Sequence, residues 1–203
     1  VVTDAIWVHV AATTNGSQTV LYVNGEAQGS PAGSGGVNND TSNFTIGRLA
    51  NTDSNYFHGE IDEVRVFDIA LTEEEIQRTV YQELEETQNF NQGKIIPKDI
   101  SANAIGGNLL RYYKMDGYKG DITDNKVTPA IDQITGAKLY NIKDIYFQTA
   151  PLPYQTVIDG AWSTTATWLH GDVWDITDEV NNKAWSIVDI NNNTDTDTSH
   201  TTL

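Results

Sequence analysis

Three carboxylates fall within four positions of this chain, at Glu60, Asp62 and Glu63. Acids this close invite comparison with the carboxyl pairs that cleave glycosidic bonds, where one acid protonates the leaving oxygen. A retaining mechanism places the second about 5 Å away on the same face. Along a strand, side chains alternate between faces, so Glu60 and Asp62 share one and Glu63 points to the other. The positions that should supply the second catalytic acid hold Val64 and Arg65. The three acids are therefore read as turn-forming and ion-pairing residues, with Arg65 or Arg48 as partner, and no catalytic residue is assigned.

Other catalytic patterns fare no better. The chain has no cysteine, and no G-x-S-x-G turn accompanies its serines. Gly33-Ser34-Gly35-Gly36 lacks the lysine of a phosphate loop. His9, His58, His170 and His200 show no metal-ligand spacing, and His9 reads as a packed or strand-surface residue.

The elements that hold the acids are written nearby. Ile61, Val64 and Val66 break a strict period of two, which predicts a bulge or twist at Asp62 or Glu63. Downstream, Thr72-Glu73-Glu74-Glu75 is a capping box: the Thr72 hydroxyl accepts from the Glu75 N–H and Glu75 reaches back. Three glutamates in the first turn complement the positive end of the helix dipole. A helix is expected over 72–84, with Ile76 and Val80 facing the sheet. Upstream, residues 6–13 alternate apolar and polar, which places Trp7 in the core, and residues 19–23 do the same. Asn15-Gly16 and Asn24-Gly25 are hairpin signals, because both residue types tolerate positive φ. Residues 29–41 read as a polar surface loop, and residues 44–46 as a further strand ending at Gly47.

Composition narrows the class. A formal charge of −16 on 203 residues repels phosphates and excludes nucleic acid as a partner. No apolar run reaches the roughly 20 residues that span a bilayer, so no membrane insertion is expected. Without cysteine there are no disulfides or zinc-thiolate sites, and stability must come from an apolar core.

The motifs W-x-H-V-A at Trp7–Ala11, L-Y-V-N-G at Leu21–Gly25, I-G-R at Ile46–Arg48, G-E-I-D-E-V-R-V at Gly59–Val66 and A-L-T-E-E-E-I at Ala70–Ile76 stand in one order. Together they resemble the C-terminal half of a laminin-G-like, concanavalin A-like lectin/glucanase domain, a jelly-roll group that includes pentraxins. The implied fold class is all-β: an antiparallel jelly-roll β-sandwich with one short C-terminal helix, followed by a partial second β-module. The expected organisation is a laminin-G-like half over 1–84 and a linker over 85–108. A partial second laminin-G-like unit follows over 109–148, then a linker over 149–157 and a truncated third β-module over 158–203, in which Trp162 and Trp168 are packing residues. The chain is expected to be part of a larger bacterial secreted multimodular protein.

The resemblance also suggests calcium, which relatives of this fold bind through rim loops. Asn51 and Asp53 in one loop, and Asp116, Asp121 and Asp124 in another, are the oxygen donors available. The function implied is a non-catalytic extracellular or cell-surface binding and adhesion module for glycans or extracellular proteins, with calcium as the cofactor. The alternatives are a structural spacer and a glycoside hydrolase-associated domain.

Overall fold

The computed structural model describes residues 7–33, 43–49, 54–80, 82–84, 90–91, 93–94, 100, 105–127, 136–140, 154–155, 157–161, 164–167 and 188–189. Strands β1 (Val10–Thr14) and β2 (Gln18–Val23) form an antiparallel hairpin in the register Val10↔Val23 to Thr14↔Thr19. Its turn closes as expected at Asn15-Gly16, where Asn15 Oδ1 accepts from the N–H groups of Ser17 and Gln18. A second reversal at Asn24-Gly25, both at positive φ, leads into β3 (Glu26–Ala27), and β4 (Ala32–Gly33) pairs with the other end of β2. Gly25 is required by space as well as by φ: a Cβ there would lie 2.9 Å from the Gln77 side chain.

Strand β1 begins at Val10, three residues after Trp7, because Asn24 ties down the residue before it. His9 donates its N–H to Asn24 Oδ1 at 2.9 Å and accepts from the Asn24 N–H at 2.8 Å. Trp7 therefore precedes the paired strand and is half-buried, outside the buried apolar cluster. Residues 44–46 form no strand; the chain bends over 46–48, with the Thr45 hydroxyl donating to the Arg48 carbonyl.

Glu63 sits at φ +54, and β5 (Val64–Phe67) starts immediately after it. The left-handed residue turns the chain at the point where the apolar spacing broke period. The helix α1 (Glu73–Gln77) carries the complete capping box, with the Glu75 N–H donating to Thr72 Oγ1 at 3.2 Å and Glu75 Oε2 accepting from the Thr72 N–H at 2.8 Å. Thr72→Ala is expected to lower stability by about 1 kcal/mol; thermal or urea unfolding measures it, and an unchanged midpoint would show that the cap contributes nothing.

The helix is shorter than the expected 72–84. Thr79 turns its hydroxyl back to the Ile76 carbonyl at 2.7 Å, and the carbonyls of Thr79 and Gln82 are taken by the Arg65 guanidinium instead of a further helical turn. A distant side chain thus holds the segment that follows the helix.

Strand β6 (Leu109–Tyr113) pairs antiparallel with β5, from Val64↔Tyr113 to Phe67↔Leu109, with a register shift between Val66 and Phe67. This pairing joins residues on either side of the expected linker, and two described residues within it touch the fold: Gly93 bridges to Leu84, and Ile100 is fully buried. The core joins Tyr22 from β2, Leu71 and Ile76 around α1, Leu84, Ile100, and Leu109 and Tyr112 from β6. Burial of these side chains is worth roughly 1.5–3 kcal/mol each. Further on, β7 (Ile122–Thr123) pairs antiparallel with β8 (Ala137–Lys138), and β9 (Tyr154–Gln155) pairs parallel with β10 (Val188–Asp189). The described chain is all-β, mostly in antiparallel pairs, with one short α-helix. None of its helices is long and apolar enough to cross a membrane.

Candidate functional site

Glu60, Asp62 and Glu63 do not face one another. Glu60 is exposed, whereas the Glu63 side chain is only 10% exposed and turns inward. There Glu63 Oε2 accepts from Arg65 at 2.5 Å and from the Tyr112 hydroxyl at 2.6 Å. The expected Glu63–Arg65 pair is present, and β6 contributes the third member. Arg65 also lies over the Tyr112 ring, 5.5 Å from its centroid. The Tyr112 hydroxyl receives the Leu84 N–H at 3.1 Å.

Beside this triad runs a second charged group. Glu83 Oε2 accepts from Lys94 Nζ at 2.8 Å and from Lys114 Nζ at 2.9 Å, with the Glu83 and Lys114 side chains 3% and 7% exposed. Asp116 lies 3.5 Å from the same lysine. The cluster is drawn from four places in the chain: the residues before and within β5, the segment after α1, Lys94, and β6 with its continuation. Burying this much charge is tolerated only because each partner is paired and hydrogen-bonded.

The electrostatics follow from that packing. Burial pushes Glu63 above the usual carboxylate range, and Arg65 only partly offsets it. Burial would also raise Glu83, but hydrogen bonds and charge from Lys94 and Lys114 outweigh it and hold Glu83 down. Tyr112 is raised well above its ordinary value by burial and by the Glu63 charge.

Two of the described groups are shifted far from their ordinary values. Asp62, whose Oδ2 is buried without a partner, is pushed from 3.8 up to about 7 by burial, with the charges of Glu63, Glu83 and Asp116 adding to the effect. His9, with Nδ1 shut off from solvent, is pushed from 6.5 down to about 4 by burial and then by Arg65. A carboxyl whose pKa is higher folded than unfolded binds protons more tightly in the fold. Raising the pH from 3.8 through 7 therefore removes stability, and lowering it restores that stability. Asp62→Asn is expected to raise stability at pH 8 by about 1–2 kcal/mol, the carboxyl being partly open to solvent, and by nothing at pH 4. His9 acts in the opposite sense between about 6.5 and 4, so the difference between wild type and variant isolates Asp62. Urea unfolding at both pH values measures it; an equal gain at both would remove the titration.

The sequence-derived calcium donors are placed as follows. Asn51 and Asp53 lie outside the described residues, as do Trp162 and Trp168. Asp116, Asp121 and Asp124 face three different lysines: Lys114 at 3.5 Å, Lys138 at 3.3 Å and Lys126 at 3.8 Å. Among the described residues no group of three or more acidic or histidine side chains could hold a metal.

Sequence reasoning passed over Glu83, Lys94, Lys114 and Tyr112. Glu83 fell near the end of the helix expected over 72–84. Lys114 directly follows β6, and a lysine next to buried tyrosines was the one available sign that its charge has a partner inside.

A family model described as the concanavalin A-like lectin/glucanases superfamily matches residues 1–77. Among solved structures, an S-layer domain-containing protein (residues 221–444) from Clostridium thermocellum is 36% identical over 38% of this chain and 40% of that chain, with a TM-score of 0.33. The match thus spans about two-fifths of that chain's length. A search of curated proteins gave no match.

Proposed function

Starting from residues 1–77 as a segment of concanavalin A-like lectin/glucanase type, we propose that this chain is a non-catalytic binding and adhesion module of a secreted or surface protein, recognising glycans or extracellular proteins. The observation that carries this reading is the fate of Glu63. Its carboxylate is committed to Arg65 and Tyr112 in the interior, while Glu60 stands exposed. A glycosidase would need two carboxyls free to face one sugar ring. The charge of −16 and the absence of cysteine favour partners that are neutral or cationic and a fold that does not depend on disulfides.

Exposed apolar side chains at Phe44, Leu49, Tyr56 and Phe57 offer stacking surface on segments joined by the Phe57 N–H to Gly47 carbonyl bond at 2.7 Å. The experiment is a glycan and matrix-protein binding array run alongside a polysaccharide turnover assay. Binding without turnover is the expected result. Turnover lost in Glu60→Gln would make the chain an enzyme, and neither binding nor turnover would make it a spacer.

A further inference from the structure

Strand β6 lies outside the family-matched residues 1–77, yet it fills a position in their core. The position is specific in its chemistry. Leu109 and Tyr112 enter the apolar cluster, and the Tyr112 hydroxyl is met by the Glu63 carboxylate and the Leu84 N–H. One residue beyond the strand, the Lys114 ammonium meets Glu83. Along the other edge of β6, Tyr112 donates its N–H to Asn125 Oδ1 at 3.0 Å, and its carbonyl accepts from the Lys126 N–H at 2.9 Å. Residues 109–126 therefore arrive as a preformed strip that docks through one strand edge and two charged hooks.

Just before the strip, Ile105–Asn108 form a single tight turn containing Gly106-Gly107, and a Cβ at Gly107 would meet nothing within 4 Å. A glycine pair, with Gly107 in open space, is a joint whose backbone can adopt more than one path at low cost. Entry to the slot is marked by the Asp68 N–H donating to the Asn108 carbonyl at 2.9 Å.

We propose that the β5 edge is a strand-acceptor slot selective for a Leu-x-x-Tyr-Tyr-Lys strand, filled here by the chain's own β6 and exchangeable for β6 of a second copy. Every contact in the slot is the same whether the strand arrives from the same chain or from another. The balance is then set by effective concentration and by the joint at Gly106-Gly107. Copies held side by side on a surface would be tied to one another through this slot.

The absence of cysteine makes the test clean. Val66 and Arg111 are direct partners across β5 and β6, so Val66→Cys/Arg111→Cys installs one reporter disulfide on the full chain. Unlabelled and 15N-labelled chains are mixed, refolded at micromolar and about millimolar concentration, and oxidised. High ionic strength screens the repulsion between two chains of −16. The expected result is a mixed-isotope disulfide peptide that rises toward half of the total with concentration. Only same-isotope disulfide at every concentration would overturn the proposal. Light scattering on the unmodified chain refolded the same way supplies a second readout, independent of the cysteines. A dimer that survives dilution is expected, and a monomer throughout would overturn the exchange. Dimers that lack the mixed disulfide would also overturn it, because they would use another surface.

Discussion

Tyr112→Ala is expected to destabilise the chain by about 3–5 kcal/mol, enough to abolish a cooperative transition in a marginally stable protein. Tyr112 is fully buried, packs edge-on against Phe90 with ring centroids 5.9 Å apart, and touches the core shared by β2, α1 and β6. The conservative change separates packing from polarity. Tyr112→Phe keeps the ring but strips the hydroxyl from Glu63 Oε2 and from the Leu84 N–H, leaving both with one partner fewer in the interior. That loss is expected to cost about 1–3 kcal/mol. Urea unfolding of both variants, monitored by far-UV and near-UV signals, measures the two steps. If the alanine variant unfolded at the wild-type midpoint, β6 would not belong to this core, and the region up to residue 84 would have to stand by itself.

Arg65→Met is the second large effect, expected at about 3–5 kcal/mol because it leaves the Glu63 carboxylate buried and uncompensated. Arg65 is 7% exposed and meets three acceptors: Glu63 and the Thr79 and Gln82 carbonyls beyond α1. Removing it therefore undoes an ion pair and the hold on the segment after the helix together. Adding Glu63→Gln is expected to recover part of the loss, since a neutral amide is far less costly to bury than an unpaired charge. A double-mutant cycle on unfolding free energies reads the coupling directly. Additive effects would show that Arg65 acts through the two carbonyls alone and that the Glu63 pair contributes nothing.

Much of the local structure was legible because it depends on neighbours in sequence. Asn24-Gly25 turns where both residues tolerate positive φ, and Thr72 and Glu75 satisfy each other within one helical turn. The broken period around Glu63 correctly signalled a backbone irregularity, and Glu63 pairs with the arginine two residues on. The illegible parts depend on residues far apart. The apolar spacing through Ile76 and Val80 suits a helix to residue 84, but after Gln77 the chain tightens into i+3 bonds and Arg65 takes the Thr79 carbonyl that the next turn would use. The residues after 84 looked like a linker because they are polar, although Ile100 is fully buried there and Lys94 reaches the buried Glu83.

The three clustered acids show the division most clearly. Glu63 does part from Glu60, but not by strand alternation: β5 starts only at Val64, Glu63 sits at φ +54, and Asp62, expected on the face of Glu60, has a buried Oδ2 while Glu60 is exposed. The family to which residues 1–77 are matched was carried by short motifs in a fixed order. What no local rule could supply was the partner of Glu63 across the sheet. Tyr112 and Lys114 come from the far side of an expected boundary, and only the packing of β6 against β5 brings them to Glu63 and Glu83. Burial and charge pairing are sums over the whole fold. The protonation of Asp62, the end of α1 and the extent of the first core were therefore decided by tertiary structure and not by the sequence around each residue.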